Sequence, residues 1–165
     1  MNGPPGDRAG PPGGGPGSLA DRQAALVEAL TRGTPVPQGF DLFKVEAARV
    51  ALLRKRAGEV SRHWPMLAAG FGRGWHRAFA EWAATRPTQG SLRDGWDFAR
   101  ELTTRGDLPE LAATELAERE ASLRYDGRSG PRPRRSPAVR GAAGAVVLQI
   151  AGRTRVLRAP GVRDR

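Results

Sequence analysis

The chain has 165 residues, with 27 Lys or Arg against 17 Asp or Glu and no cysteine. That length allows one domain with a sizeable core, and the missing thiols exclude disulfides, thiolate metal sites and cysteine nucleophiles together. The two histidines, His63 and His76, fall on different predicted helices without a carboxylate cluster, so the sequence predicts no metal site, no cofactor and no enzymatic activity.

Residues 1–18, MNGPPGDRAGPPGGGPGS, are dominated by Gly and Pro and bury too little to offset backbone ordering, which predicts a disordered tail. A first helix starts after Ser18, whose side chain is placed to cap the amides near Asp21, and ends at Gly33. Asp41 is the N-cap of a second, long helix to about His63, because Pro65 biases Trp64 away from helical backbone. PMLAAGF, from Pro65, reads as a short turn leading through Gly70, Gly72 and Gly74 to a helix over Trp75–Thr85. A further helix begins beside Ser91, with Leu92, Trp96, Ala99 and Leu102 as its apolar stripe and Asp94 in its first turn. Asp107 and Glu110 have capping-box spacing for a last helix reaching Leu123 or Tyr125.

These elements predict an all-α fold, a compact bundle of five to six helices over residues 19–125. Residues 126–141 read as a basic flexible linker. Residues 142–159 read as a β-hairpin turning at Gly152 and Arg153, and residues 160–165 as a tail. An isolated hairpin is marginal in water, so this one either docks on the bundle or pairs with an incoming strand. No run approaches the roughly 20 apolar residues of a membrane span, and the N-terminus lacks the apolar core of a secretion signal, which predicts a cytoplasmic protein without membrane contact.

The net charge of +10 is unevenly distributed. Residues 19–125 hold 16 cations and 14 acids, whereas residues 126–165 hold ten Arg against two Asp, a net +8. The basic character therefore belongs to the C-terminal end. On the second helix, at about 100° per residue from Val45, Arg56 falls near ~20° and Arg49 near ~40°, with the apolar stripe, while Arg54, Lys55 and Arg62 face water. Inward arginines need a carboxylate, because an unpaired buried charge is costly. Two partners are available, Glu59 three residues on and Glu120, inward on the last helix; the bridge to Glu120 is the expected one, giving a structural ion-pair set of Arg49, Arg56 and Glu120. Trp64, Phe79, Trp82, Trp96 and Phe98 read as core aromatics.

The order ALLRKRAGEVSRHWPMLAAGFG, FAEWAATRP, LRDGWDFARELTTRGDLPELAATELAERE resembles the N-terminal helical domain of the HvfC/BufC-type proteins, a family long labelled DNA-binding. The resemblance covers about Leu19 to Tyr125. The Trp64-Pro65 turn, Phe79, Asp94, Phe98, Leu108-Pro109 and Glu120 carry it, and RKRAGEV, DGWDFAR and RYDGRS resemble a shorter actinobacterial version. It implies a non-catalytic adaptor for a multinuclear non-haem iron enzyme that modifies ribosomally made peptides. The chain departs from longer members in lacking their full C-terminal domain.

Partner contacts are accordingly expected at the basic tail and hairpin, through Arg132, Arg134, Arg135, Val147, Gln149, Arg153 and Arg155. An exposed strand edge accepts an extended peptide, and the arginines attract an acidic precursor. The alternative is a nucleic-acid binder that uses the same tail, with contacts dominated by phosphates.

Overall fold

A computed structural model describes residues 17–142, 145–150 and 153–158. The expectations for residues 1–16, for the hairpin-turn residue Gly152 and for the tail 160–165 lie outside the described residues. The order is α1 (Leu19–Arg32), α2 (Leu42–His63), α3 (Pro65–Phe71), a 3₁₀ turn (Gly72–Gly74), α4 (Trp75–Ala83), α5 (Ser91–Arg105) and α6 (Glu110–Ser122). The strands β1 (Leu123–Arg124), β2 (Arg132–Pro133), β3 (Ala138–Ala142), β4 (Ala145–Ile150) and β5 (Arg153–Arg158) follow. The fold is mostly helical, and two small antiparallel sheets correct the all-α expectation.

Local chemistry sets the helix ends. Ser18 and Asp21 form a reciprocal capping box on α1, and the Asp41 carboxylate accepts from the amides of Phe43 and Lys44 at the start of α2. PMLAAGF is a helix rather than a turn: Pro65 occupies the first helical position, where its fixed φ fits and its missing N–H costs nothing. The predicted box at Asp107 and Glu110 does not form. Gly106 closes α5 in the left-handed region, the Asp107 amide donates to Leu102 O at 2.9 Å as part of that closure, and α6 begins after Pro109. α6 also ends earlier than expected, at Ser122, because Leu123 turns extended.

That extended turn starts the first sheet. β1 pairs with β2, and the Arg134 amide continues the ladder to Ser122 O at 2.8 Å. The second sheet has the order β3-β4-β5. The predicted flexible linker 126–141 thus contains β2 and most of β3, and the predicted hairpin is part of a three-stranded meander. Arg153 pairs with Ile150 as a strand residue, which corrects its assignment to the turn. The meander docks on α6: Val147 is fully buried and clusters with Ala117 and Ala121, and Gln149 is buried beside it.

The main core is aromatic. Trp64, Phe79, Trp96 and Phe98 are buried, with Trp75 and Trp82 at their edges. Phe98 lies 5.3 to 6.1 Å, centroid to centroid, from the rings of Phe71, Trp75, Phe79 and Trp82, distances typical of favourable offset and edge contacts. Buried indole N–H groups are paired: Trp75 donates to Ala57 O at 3.1 Å, Trp64 to Leu92 O at 3.0 Å and Trp82 to Glu101 at 2.9 Å. No helix among the described residues is long and apolar enough to cross a membrane.

Candidate functional site

Two polar constellations stand out, one internal and one open. The internal one centres on Asp94, only 2% exposed in the first turn of α5. Its Oδ2 accepts from Arg56 Nε at 2.8 Å and from Thr88 Oγ1 at 2.7 Å, and its Oδ1 accepts from the Gln89 amide at 2.9 Å. Arg56 also donates to Arg86 O at 2.6 Å, with its guanidinium over the rings of Phe79 and Trp82. Helix 2 is thereby tied to the loop between α4 and α5.

The expected Arg56–Glu120 bridge is therefore corrected. The wheel placed Arg56 inward, but α2 packs on α4 and α5, while α6 packs on α3 and α5, so the carboxylate that Arg56 meets comes from α5. Glu120 binds Arg100 at 2.8 Å, accepts from Trp96 Nε1 at 3.4 Å, and has Arg140 at 3.9 Å. Arg49 makes neither contact. Its Nη2 donates to Ala84 O at 3.1 Å, Glu46 lies 3.6 Å away, and the guanidinium sits so close to Gly33 that a Cβ there would approach within 2.3 Å.

The open constellation is a groove of about 640 Å³ where α5 and α6 meet the segment Leu123–Ser136 and β3. Six arginines line it, Arg100, Arg124, Arg132, Arg134, Arg135 and Arg140, against two acids, Glu120 and Asp126. Both acids are engaged. Glu120 holds Arg100 and Arg140. Asp126 Oδ1 accepts the amides of Arg128 at 2.8 Å and Ser129 at 2.7 Å, fixing the turn in which Gly127 adopts φ 80°. Among the described residues, Arg124, Arg132 and Arg135 have no carboxylate within ion-pair distance, and Arg134 Nε is buried without a hydrogen-bond partner. The groove presents excess positive charge in a concavity of ligand-site size.

Tyr125 forms the inner wall. Its ring lies 5.1 Å from Trp96, beneath the Arg100 guanidinium at 5.3 Å, and its hydroxyl donates to Asp97 at 3.0 Å. Burial raises the Asp97 carboxyl above its ordinary value against the opposing pull of Tyr125, Arg93 and Arg100, and burial raises the Tyr125 phenol as well. Asp126 is shifted the other way, to about 2, by the amides of Ser129 and Arg128. A lowered folded pKa contributes stability that is present above the unfolded value of about 3.9. The Asp126 turn should therefore hold at neutral pH and open as pH falls from about 4 through about 2. Exchange of the Arg128 and Ser129 amides, corrected for intrinsic rates, checks this: protection should be lost over that window and be absent at neutral pH in Asp126→Ala.

The structure divides the predicted partner residues. Arg132, Arg134 and Arg135 come together in the groove. Arg153 and Arg155 are exposed on the sheet face turned away from α6. Val147 and Gln149 are buried on the face against α6 at 0% and 1% exposure, so the sequence assignment of these two to partner contact is corrected. Arg100, Arg124, Tyr125 and Arg140 are groove residues that periodicity did not single out. The signal was the turn chemistry of Asp126-Gly127, which folds RYDGRSGPRPRR back along α6. Among the described residues, no group of three or more His, Asp or Glu side chains is placed to hold a metal ion.

Residues 20–104, just over half of the chain, match the protein family described as SCO6045-like, C-terminal domain. A UPF0276 protein of Streptomyces avermitilis is 41% identical over 124 residues, covering 74% of this chain and 25% of that protein. The chain thus spans about a quarter of that relative's length. No solved structure matches it. The family segment contains Arg56, Trp64, Asp94 and Gly95, whereas the groove arginines other than Arg100 lie beyond it.

Proposed function

The chain belongs to the SCO6045-like, C-terminal domain family, and we propose that it is a non-catalytic adaptor that holds an acidic peptide segment for a larger partner protein. The observation that carries this reading is the groove: six arginines to two acids, both acids already occupied by protein groups. An extended peptide rich in Glu or Asp supplies the missing carboxylates, and Arg forks bind carboxylate with directional, charge-assisted hydrogen bonds. The adaptor role draws further support from the relative in which the matching region is about a quarter of a longer polypeptide, as expected of a module that serves another body. By the HvfC/BufC resemblance, that partner is a multinuclear non-haem iron enzyme modifying ribosomally made peptides.

Electrostatic binding of nucleic acid is the second reading, favoured by the same excess of arginine. Helix α2 adds little to it, because Arg49 and Arg56 are engaged inside the bundle and, of its outward cations, Lys44 and Lys55 lie beside Asp41 and Glu59 at 3.7 and 3.9 Å.

Fluorescence anisotropy with a labelled Glu/Ser peptide and with a random DNA duplex, titrated across salt, separates the two. The peptide should bind at physiological salt, and the paired exposed substitutions Arg132→Glu and Arg135→Glu should weaken it at least ~10-fold while changing stability by no more than about 0.5 kcal/mol. Duplex binding that survives physiological salt, with no peptide binding, would reverse the assignment. Native co-purification followed by iron analysis of the captured protein checks the partner: an iron protein recovered with wild type is the expected result.

A further inference from the structure

A second cavity, of about 330 Å³, adjoins the arginine groove, and both share Glu120 and Arg140 as lining. Leu108, Ala113, Leu116 and Ala117 give it an apolar wall, with Thr103, Gly106 and Gly141 completing the lining. Leu116 and Ala117 are buried there, and Leu108 and Ala113 are half-buried. The rim between the cavities is loosely closed. Arg140 stands 3.9 Å from Glu120 and donates to its neighbour's carbonyl, Val139 O, at 2.9 Å, whereas Glu120 is held firmly by Arg100 at 2.8 Å. Arg140 is thus able to exchange its long contact for a ligand carboxylate without stripping Glu120 of its partner.

Resting on the acidic-peptide reading above, we infer that the ligand is a peptide in which an acidic stretch adjoins one aliphatic residue. The acidic side chains lie along Arg132, Arg134 and Arg135, the main chain crosses the Glu120–Arg140 rim, and the aliphatic side chain enters the second cavity. Charge alone would accept any polyanion. The neighbouring cavity adds a requirement for an apolar side chain that a phosphate backbone does not meet, and it supplies selectivity of the kind electrostatic attraction lacks.

The test uses the full chain and two labelled peptides, a Glu/Ser peptide with one Leu beside its acidic stretch and the same peptide with Gly in place of that Leu. Burying a leucine side chain supports about tenfold tighter binding, so the Leu peptide should bind ~10-fold more tightly than the Gly peptide. Ala113→Phe, which places a ring in the cavity beside the apolar wall, should reduce that advantage and leave affinity for the Gly peptide unchanged. Methyl NMR of the wild-type chain gives an independent readout should that variant fold poorly: the Ala113 and Ala117 methyl signals should shift with the Leu peptide and stay in place with the Gly peptide. Equal affinity for the two peptides, or a leucine advantage without methyl shifts, overturns the inference while leaving the acidic-peptide reading standing. Binding of neither peptide overturns both.

Discussion

Replacing Asp94 with Ala is expected to destabilise the protein by ~3–5 kcal/mol, the loss typical of removing one partner from a buried ion pair. The carboxylate is 2% exposed and Arg56 12%, so water cannot replace the lost acceptor. Thr88 and the Gln89 amide lose their acceptor at the same time. Denaturation in urea measures the effect as a fall in midpoint at constant slope. The double change Arg56→Met with Asp94→Ala removes the stranded charge, and it should recover part of the loss because no buried guanidinium is left without its carboxylate, while Thr88 and the Gln89 amide stay unpaired. A loss below about 1 kcal/mol for Asp94→Ala would show that the pair is dispensable to the bundle.

Gly95→Ala should be destabilising by about 2–3 kcal/mol, against the usual sign for such a change inside a helix, where Ala is favoured over Gly by roughly 0.5–1 kcal/mol. The reason is next door. A Cβ on Gly95 would lie 2.2 Å from Trp64 Cδ1 and 2.4 Å from its Nε1. The indole cannot retreat cheaply: it donates to Leu92 O at 3.0 Å, meets Trp96 edge-on at 5.8 Å and carries the Arg119 guanidinium on its face at 4.2 Å. Gly58 provides the matched comparison, because a Cβ at that helical position meets nothing within 4 Å. Gly58→Ala should therefore be neutral or stabilising by up to about 1 kcal/mol. Opposite signs for the two substitutions in urea melts are the expected outcome, and equal signs would contradict the close approach of α5 to Trp64.

The helices were legible where apolar spacing and caps agreed. Ser18, Asp41 and Gly33 mark ends that the structure reproduces, and the five aromatics read as core are buried. Residues with two uses depart from the expectation. Asp107 has the spacing of a cap for α6, yet its amide completes the end of α5. Pro65 ends α2 and, as a first-turn proline, also begins α3. A helical wheel gives the direction of Arg56 without naming the helix opposite, and its carboxylate partner is on α5 rather than α6. The groove was hidden for a different reason. It depends on β1 and β2 folding Arg132–Arg135 back over Tyr125, and two-residue strands leave no periodic trace.

All four tryptophans lie between residues 64 and 96, inside the helical core, and none lies in either sheet. Indole emission therefore reports the state of the helices and is largely silent about the three-stranded meander on α6. A melt followed by that signal alone would register the bundle as intact after the meander had peeled away. Peptide-binding assays on variants should accordingly be paired with a label placed on β4 or β5.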